Sequence, residues 1–209
     1  MYVPPQFAED RLPVLHDAIR AAGLAQFITT GPDGIIATPL PLLLDPAAGP
    51  YGTLYGHLAR ANPQWKRSDA TVEALAIIMG PDRYISPSFY QTKQESGKVV
   101  PTWNYVTIHA YGPAIFSEDT TELLDVVTRL TERHEQSRAS PWQVSDAPAS
   151  FVASQMKGIV AVRIPVTRLQ GKWKMSQNRN VADRRGVVAG LQAEGEETVA
   201  ALVHSGLTQ

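Results

Sequence analysis

The turn Gly31-Pro32-Asp33-Gly34 stands between two strand-like runs, Ala25 to Thr30 and Ile35 to Leu44. Glycine, proline and aspartate favour tight turns, and two strand-like runs joined by such a turn predict a β-hairpin. Pro39 and Pro41 cannot donate ladder hydrogen bonds, which places the second strand at a sheet edge or beside a ligand. The fold is therefore expected to begin with antiparallel pairing.

Further strand-like runs follow at hairpin spacing, and helical periodicity is confined to the start, one insertion and the end of the chain. The predicted strands are Tyr51 to Leu58, Val72 to Met79, Tyr84 to Tyr90, Trp103 to Phe116 and Ile159 to Val166. The predicted helices are Ala8 to Ala22, Ser117 to Arg133, Ala149 to Lys157 and two short helices after Asn180, with a break at Gly80-Pro81-Asp82 and a loop from Gln91 to Val99. This order is typical of a small antiparallel β-barrel with peripheral helices, a mainly β, α+β fold. We expect residues 1–170 to form the barrel with its inserted helices, and residues 171–209 to form a ligand-contacting segment and C-terminal helices packed on the barrel.

The composition of the chain excludes several classes of function and of functional site. The 209 residues suit one domain, or one domain with a small appendage, and the formal net charge of −1 argues against broad nucleic-acid binding. The absence of cysteine excludes disulfides, thiolate catalysis and cysteine-based metal sites. No apolar run approaches the roughly 20 residues that span a bilayer, and the first residues do not resemble a secretory signal. We therefore expect a cytoplasmic protein without a membrane partner.

Three clusters of the sequence are rich in tryptophan, amide and cationic side chains. They are Gly56 to Trp65, Pro101 to Tyr105 and Gly171 to Arg179. Cations can fork onto a phosphate, and amides and hydroxyls can bond the rim of a heteroaromatic ring. Together the clusters predict one site for a flat, phosphorylated ligand, a description that flavin mononucleotide (FMN) fits.

Less specific interpretations stay open. His57 and Arg60 could belong to a solvated strand end, and Trp103 and Trp173 could each be core residues. Against the first interpretation, a helix that begins near Asn62 would present free N–H groups and the positive end of its dipole to an anion. Against the second, the polar neighbours of both tryptophans would need partners in a dry core.

Motifs of common catalytic and metal sites do not occur in the sequence. There is no Gly-x-Ser-x-Gly, Gly-x-Gly-x-x-Gly or P-loop. No two histidines stand four residues apart, and no carboxylate lies at ligand spacing beside His57 or His109, so we predict no metal site. No catalytic residue is assigned, and whether the protein is an enzyme is left open.

The chain resembles the PaiB family, described as FMN-binding negative transcriptional regulators. The matching pieces are Met1 to Pro4 with Phe7, Gly56 to Trp65, Gly80 to Tyr90, Val100 to Tyr105 and Gly171 to Arg179. The resemblance implies a split β-barrel like that of pyridoxamine-phosphate oxidases, and a homodimer that holds FMN at its interface.

The clusters and the resemblance together give the expected FMN contacts. We expect Arg60, Asn62 and His57 at the phosphate, Lys174, Ser176, Gln177 and Arg179 at the phosphate–ribityl or ring edge, Trp103 beside the isoalloxazine, and Thr38 as a donor to it. The resemblance favours a redox- or ligand-responsive regulator that acts indirectly, since the sequence does not support direct DNA binding. A small flavin-dependent oxidoreductase is the alternative. A haem-handling protein, with His57 or His109 as a conceivable ligand, is the third.

Overall fold

The computed structural model describes residues 1–207, in which ten β-strands and seven α-helices occur. The strands are β1 Ala8–Glu9, β2 Ala25–Gly31, β3 Gly34–Leu40, β4 Leu43–Asp45, β5 Thr53–Ala59, β6 Ala74–Ile85, β7 Thr102–Gly112, β8 Ile115–Ser117, β9 Ile159–Pro165 and β10 Arg168–Lys174. The helices are α1 Leu12–Ala21, α2 Gln64–Arg67, α3 Gln91–Ser96, α4 Thr120–Glu135, α5 Ala149–Met156, α6 Val181–Ala193 and α7 Glu197–Ser205. None of these helices is both long enough and apolar enough to cross a membrane.

The strands form two sheets. The order is β1-β10-β7-β6-β2-β3 in the six-stranded sheet and β4-β5-β9-β8 in the four-stranded sheet. The pairs β1–β10, β2–β3, β2–β6, β4–β5, β5–β9 and β8–β9 are antiparallel. The predicted antiparallel α+β fold is confirmed.

The predicted hairpin is present as β2 and β3. Its register runs from Ala25 opposite Leu40 to Gly31 opposite Gly34, and Gly34 has a φ of 97°, which glycine adopts without steric cost. The second strand is shorter than predicted, because β3 ends at Leu40 and the chain resumes as β4 in the other sheet. Pro39 lies on β3, the edge strand of its sheet, as expected for a residue without a backbone donor.

The predicted break at Gly80-Pro81-Asp82 is wrong, because β6 continues through it. The pairing of β6 with β2 ends where Ile78 faces Ala25, the first residue of β2. Beyond Ile78, β6 is no longer paired with β2. Pro81 therefore removes no hydrogen bond from the β2–β6 ladder.

Two further boundaries differ from the prediction. Residues Ala8–Glu9 pair with β10 as β1, so the first helix begins at Leu12 instead of Ala8. The predicted loop from Gln91 to Val99 contains α3, whose first turn is bonded by Asp183: its carboxylate accepts from Thr92 N at 2.9 Å and from Thr92 Oγ1 at 3.0 Å. That partner lies 91 residues away and gives no local signal.

The chain divides into two compact units. The first unit comprises Met1–Arg11, Met79–Ile108 and residues 170–207, and the second comprises Leu12–Ile78 and His109–Leu169. Strand β10 runs across residue 170, where the sequence placed a domain boundary.

The core of the first unit lies under α6 and α7, which confirms the two predicted terminal helices. Asn180 caps α6 by accepting from Asp183 N at 2.8 Å, and Val187 and Leu191 are buried along one face. Phe89 packs against α6 at Gly186 and Gly190, two residues without side chains. A Cβ at Gly186 would lie 1.9 Å from the Phe89 carbonyl oxygen, and one at Gly190 would lie 2.3 Å from its ring.

In the second unit α4 covers the four-stranded sheet. Asp119 caps it by accepting from Thr121 N and Glu122 N, both at 2.9 Å. Its buried face, Leu123, Val126 and Leu130, has helical spacing.

Candidate functional site

The nine residues expected to contact FMN divide between the two units. The second unit holds Thr38, His57, Arg60 and Asn62, and the first unit holds Trp103, Lys174, Ser176, Gln177 and Arg179. Each group has its own geometry.

In the second unit, Thr38 and Asn62 belong to a hydrogen-bond network around the fully buried Gln64. Thr38 Oγ1 donates to Gln64 Oε1 at 2.6 Å and accepts from Asn62 Nδ2 at 3.0 Å. Gln64 Nε2 lies 3.1 Å from Thr29 Oγ1 and 3.3 Å from Phe27 O, both acceptors on β2. The network fixes the short helix α2 against the β2–β3 hairpin.

The guanidinium of Arg60 is already hydrogen-bonded and ion-paired within the second unit. Its Nε donates to Lys157 O at 2.6 Å, its Nη2 donates to Ile159 O at 3.3 Å, and its Nη1 pairs with the Glu118 carboxylate. The helix start predicted beside it is α2, and its Gln64 N already donates to Asn62 Oδ1 at 2.9 Å. An anion at Arg60 would have to replace Glu118.

Among the candidates of the second unit, His57 has a ring nitrogen without a hydrogen-bond partner in the described residues. It lies on β5 opposite Ala161 of β9, and its Nδ1 is buried without a hydrogen-bond partner among the described residues. Burial lowers the pKa of His57 below its ordinary value. The ring is therefore neutral near pH 7 and can either donate or accept one hydrogen bond at Nδ1.

In the first unit, Lys174 ends β10 and bonds the start of β7. Its Nζ donates to Thr102 Oγ1 and to Trp103 O, each at 2.5 Å. Burial, followed by the nearby charges of Lys172 and Arg179, lowers the pKa of Lys174. Neither Lys174 nor Arg179 forms an ion pair with a carboxylate in the part of the chain that the structure describes.

Ser176 and Gln177 shape the turn after β10. Ser176 has a φ of 63°, unusual for a residue other than glycine, and it exchanges two 3.1 Å hydrogen bonds with the buried Asn104. Gln177 Oε1 accepts from Met175 N and its Nε2 donates to Trp173 O, both at 2.6 Å. Both side chains hold the turn in place.

Arg179 follows that turn and lies over Tyr90. Its guanidinium carbon is 4.4 Å from the centroid of the Tyr90 ring. Tyr90 is 1% exposed, and its Oη lies close to the Arg179 guanidinium without a well-formed hydrogen bond to any described residue. Burial raises the pKa of Tyr90, and the charge of Arg179 opposes that rise. Both side chains line a cavity of about 210 Å³, together with Lys174, Ser176, Asn178 and Thr102.

Trp103 is 53% exposed, which excludes the core interpretation for this residue. Its ring meets that of Tyr84 edge to face, with centroids 6.1 Å apart, and Tyr84 is itself 45% exposed. Trp173, in contrast, packs against the core of the first unit, in agreement with the interpretation of Trp173 as a core residue.

The second unit contains another cavity, of about 1000 Å³, between α4 and α5. Most of its lining surface is apolar, with contributions from Leu124, Val152 and Met156, and none of the nine expected residues lies there. The cavity offers no cluster of cations for a phosphate.

The sequence analysis assigned no individual role to several residues that complete these groups: Gln64 and Asn104, which lie in two of its clusters, and Glu118, Tyr90 and Tyr84. A signal existed for Asn104, an amide inside a strand of mostly apolar residues, which needs a buried partner. No local signal marks Tyr90 or Glu118, since their partners lie far away along the chain.

Comparisons with known proteins agree with the resemblance. The chain is 34% identical to "Protease synthase and sporulation protein PAI 2" of Bacillus subtilis, over 93% of this chain and 90% of that protein. It is 33% identical to an uncharacterized protein of Aspergillus fumigatus, over 94% of this chain and 93% of that protein.

The fold is similar to that of the FAD and haem binding protein of Mycobacterium smegmatis. The TM-score is 0.58 at 14% identity, over 87% of this chain and 78% of that chain. The two antiparallel sheets thus form the predicted split β-barrel fold.

The family model described as "Putative FMN-binding domain" matches residues 1–168, which include Trp103 and the whole candidate group of the second unit. With four-fifths of its residues matched, the chain belongs to this family.

Proposed function

We propose that the chain binds FMN and works in the cytoplasm as a redox- or ligand-responsive regulator that acts indirectly. The observation that carries the proposal is the exposed Trp103, which offers an aromatic surface beside Tyr84 and whose carbonyl holds Lys174. An isoalloxazine ring can stack on such a surface. Bound FMN would supply electron and hydride transfer, for which the protein has no group of its own.

Each candidate group could contribute contacts to FMN. In the first unit, Lys174 and Arg179 carry cations for its anionic or polar edges, while Ser176 and Gln177 hold the turn that presents them. In the second unit, Thr38 and Asn62 fix α2, and the Nδ1 of His57 has no hydrogen-bond partner among the described residues. Arg60 could exchange its ion pair with Glu118 for one with the phosphate of FMN. That exchange is inexpensive, because exposed ion pairs contribute only about 0–1 kcal/mol.

The regulatory role rests on the relative in Bacillus subtilis, whose name refers to protease synthesis and sporulation. The near-neutral net charge argues against direct reading of DNA. The alternative is a small flavin-dependent oxidoreductase.

We also propose a homodimer. One face of the edge strand β3 exposes Ile35, Ala37 and Pro39, and Ile35 is 76% exposed. An exposed apolar edge strand favours cover by a second copy. A monomer mass by light scattering at micromolar concentration would refute the dimer.

Calorimetric titration of the purified protein with FMN tests the binding proposal. We expect saturable binding with quenched flavin fluorescence, whereas no binding at tens of micromolar would exclude it. Anaerobic stopped-flow mixing of the complex with NADH and NADPH then separates the two roles. Flavin reduction faster than roughly one per second, within the usual range of enzyme turnover, would favour the oxidoreductase.

A further inference from the structure

A cavity of about 630 Å³ in the first unit is bounded by β1, β10, α6 and α7. Its lining is polar and apolar in similar measure, and the apolar part includes Trp173, Met175 and Leu202. Four charged side chains line it: Glu9, Asp10, Arg11 and Arg184. The volume lies within the range of about 300–1,000 Å³ that is usual for small-molecule sites.

Arg184 is a partly buried cation of this lining without a carboxylate partner among residues 1–207. Its Nη2 donates to Val203 O over a long 3.3 Å, and its Nε is buried without a partner in the described residues. A guanidinium has five N–H donors, and withdrawing its charge from water is costly unless the charge is paired. A carboxylate in the cavity would supply that pairing and accept from the guanidinium.

The other three charges favour a ligand with a single negative charge. Glu9 and Arg11 neutralise each other, because Arg11 Nε donates to Glu9 Oε1 at 2.8 Å and Arg11 Nη2 pairs with Glu9 Oε2. Asp10 is exposed and keeps its negative charge beside the cavity. A phosphate group carries nearly two negative charges near pH 7 and would be repelled by Asp10 more strongly than a carboxylate.

The apolar wall indicates what the carboxylate should be attached to. Trp173 of β10 and Leu202 of α7 are partly buried and pack against the core of the first unit. An apolar body placed against them would lose contact with water, and an aromatic body would in addition pack on the indole ring. The lining therefore fits an aryl or branched alkyl carboxylate.

This cavity lies on the opposite face of β10 from Lys174 and Trp103, which the proposed function assigns to FMN. Successive side chains of a strand point to opposite faces of the sheet. Lys172 and Lys174 both reach the Tyr105 ring, with Nζ 5.2 Å and 6.0 Å from its centroid, whereas Trp173 between them packs under α6 and α7. Trp103 stands two residues before Tyr105 on β7 and shares its face.

The residues of this cavity are also distinct from the expected FMN contacts, with one exception. Gln177 lines it, but its amide is already bonded on both sides to the backbone of the turn after β10. The described lining has no residue in common with the cavity of about 210 Å³ that Lys174 and Arg179 line. Arg184 also lies beyond residue 168, where the match to the FMN-binding family model ends.

We propose that this cavity binds a small monocarboxylic acid with an aromatic or branched apolar body, at a site separate from that of FMN. Arg184 pairs with the carboxylate, and Trp173 and Leu202 contact the body. The proposal rests on the proposed function only in placing FMN on the other face of β10.

Calorimetric titration of the full chain with sodium benzoate, acetate and inorganic phosphate tests the class of ligand. We expect saturable binding of benzoate at millimolar concentration, since so small a ligand makes few contacts. Acetate lacks the apolar body and phosphate carries additional charge, so both should bind at least about fivefold more weakly. No saturation with benzoate, or an affinity for benzoate no greater than that for acetate or phosphate, overturns the proposal.

Three variants test where the carboxylate binds. Arg184→Gln should weaken benzoate binding at least about tenfold, because a charged hydrogen-bonding partner is lost. Its neighbour Arg185 is exposed and is not among the described lining residues, so Arg185→Gln should leave the affinity unchanged. Asp10→Asn removes a negative charge from the lining and should tighten benzoate binding about twofold at low ionic strength, a gain that a damaged fold cannot produce. Equal affinities of the two arginine variants, or no gain in Asp10→Asn, overturn the proposal.

The benzoate titration is then repeated with the chain saturated by FMN. Unchanged affinity for benzoate supports a separate site, whereas competition between benzoate and FMN overturns it. If the chain binds benzoate with the expected dependence on Arg184 but never binds FMN, the proposed function fails and the carboxylate site stands.

Discussion

Asn104 and Ser176, 72 residues apart in the chain, exchange two hydrogen bonds of 3.1 Å. Asn104 is fully buried and Ser176 is 3% exposed, so neither side chain has water as a substitute partner. The pair ties the turn after β10 to β7, and with it the positions of Lys174 and Arg179.

Ser176→Ala should destabilise the protein by about 1–3 kcal/mol, because the amide of Asn104 is left buried with those two bonds unmade. Ser176→Gly loses the same bonds but accepts the φ of 63° without strain. The glycine variant should therefore be about 1 kcal/mol more stable than the alanine variant in urea unfolding. Equal stabilities of the two variants would contradict a strained serine.

Gln64→Ala should lower the free energy of unfolding by about 2–4 kcal/mol. The change leaves a cavity and removes the partner of Thr38 and of acceptors on β2. Arg67→Ala, on the same helix, breaks only the exposed pair with Asp33 and should cost less than about 1 kcal/mol. Comparable urea midpoints for the two variants would show that the buried network contributes little.

The pH dependence of stability should report on His57. Burial lowers its pKa below the ordinary 6.5, so between the folded and unfolded values the unfolded chain binds more protons. Stability therefore rises with pH in that window and is lost as pH falls from about 6.5 toward the folded pKa. His57→Gln should flatten this part of the curve in urea unfolding at a series of pH values.

His109 provides the comparison for this measurement. Its pKa is lowered as well, with burial as the largest cause, and its Nδ1 lies 3.2 Å from Tyr111 Oη. His109→Gln should flatten the curve independently, and the double variant should be flattest. A His57→Gln curve parallel to that of the unmodified protein would rule out the assignment.

Trp103→Ala should weaken FMN binding by about 1–2 kcal/mol, through lost contact area and ring stacking. Trp142 is a matched control, since it is 47% exposed and belongs to neither candidate group. Trp142→Ala should leave the affinity unchanged. Fluorescence titration with FMN measures both, and equal affinities would move the flavin ring away from Trp103.

Glu118→Ala distinguishes two roles of Arg60. If Arg60 binds the FMN phosphate, freeing its guanidinium should tighten FMN binding, and Arg60→Ala should weaken it by about 1.5–3 kcal/mol. If Arg60 only holds the carbonyls of Lys157 and Ile159, neither variant should change FMN affinity, and Arg60→Ala should lower stability. Calorimetry and thermal unfolding on the same samples separate the outcomes.

The sequence predicted the parts of the fold whose signals are local. The β2–β3 hairpin follows from its turn, and α4 follows from the helical spacing of Leu123, Val127 and Leu130 within the predicted helix Ser117 to Arg133. The predictions failed where a distant partner decides. Strand β6 passes through Pro81 because its pairing with β2 has already ended, and α3 is completed by Asp183.

The same distinction applies to the candidate site. The cluster from Gly171 to Arg179 was recognisable as a concentration of cations and amides. Its geometry was not, because Asn104 and Tyr90, which hold Ser176 and face Arg179, come from distant segments. Whether Arg60 was free also could not be read locally, since Glu118 and the carbonyls of Lys157 and Ile159 lie far along the chain.

The slot in α6 that receives Phe89 links three positions of the sequence. Gly186 and Gly190 have no room for a methyl group while Phe89 keeps its place, so a change at one of them is viable only with a compensating change or shift around residue 89. In an alignment of relatives, these columns should vary together or not at all. The family model ends at residue 168, so this linkage would identify members that retain the α6 packing.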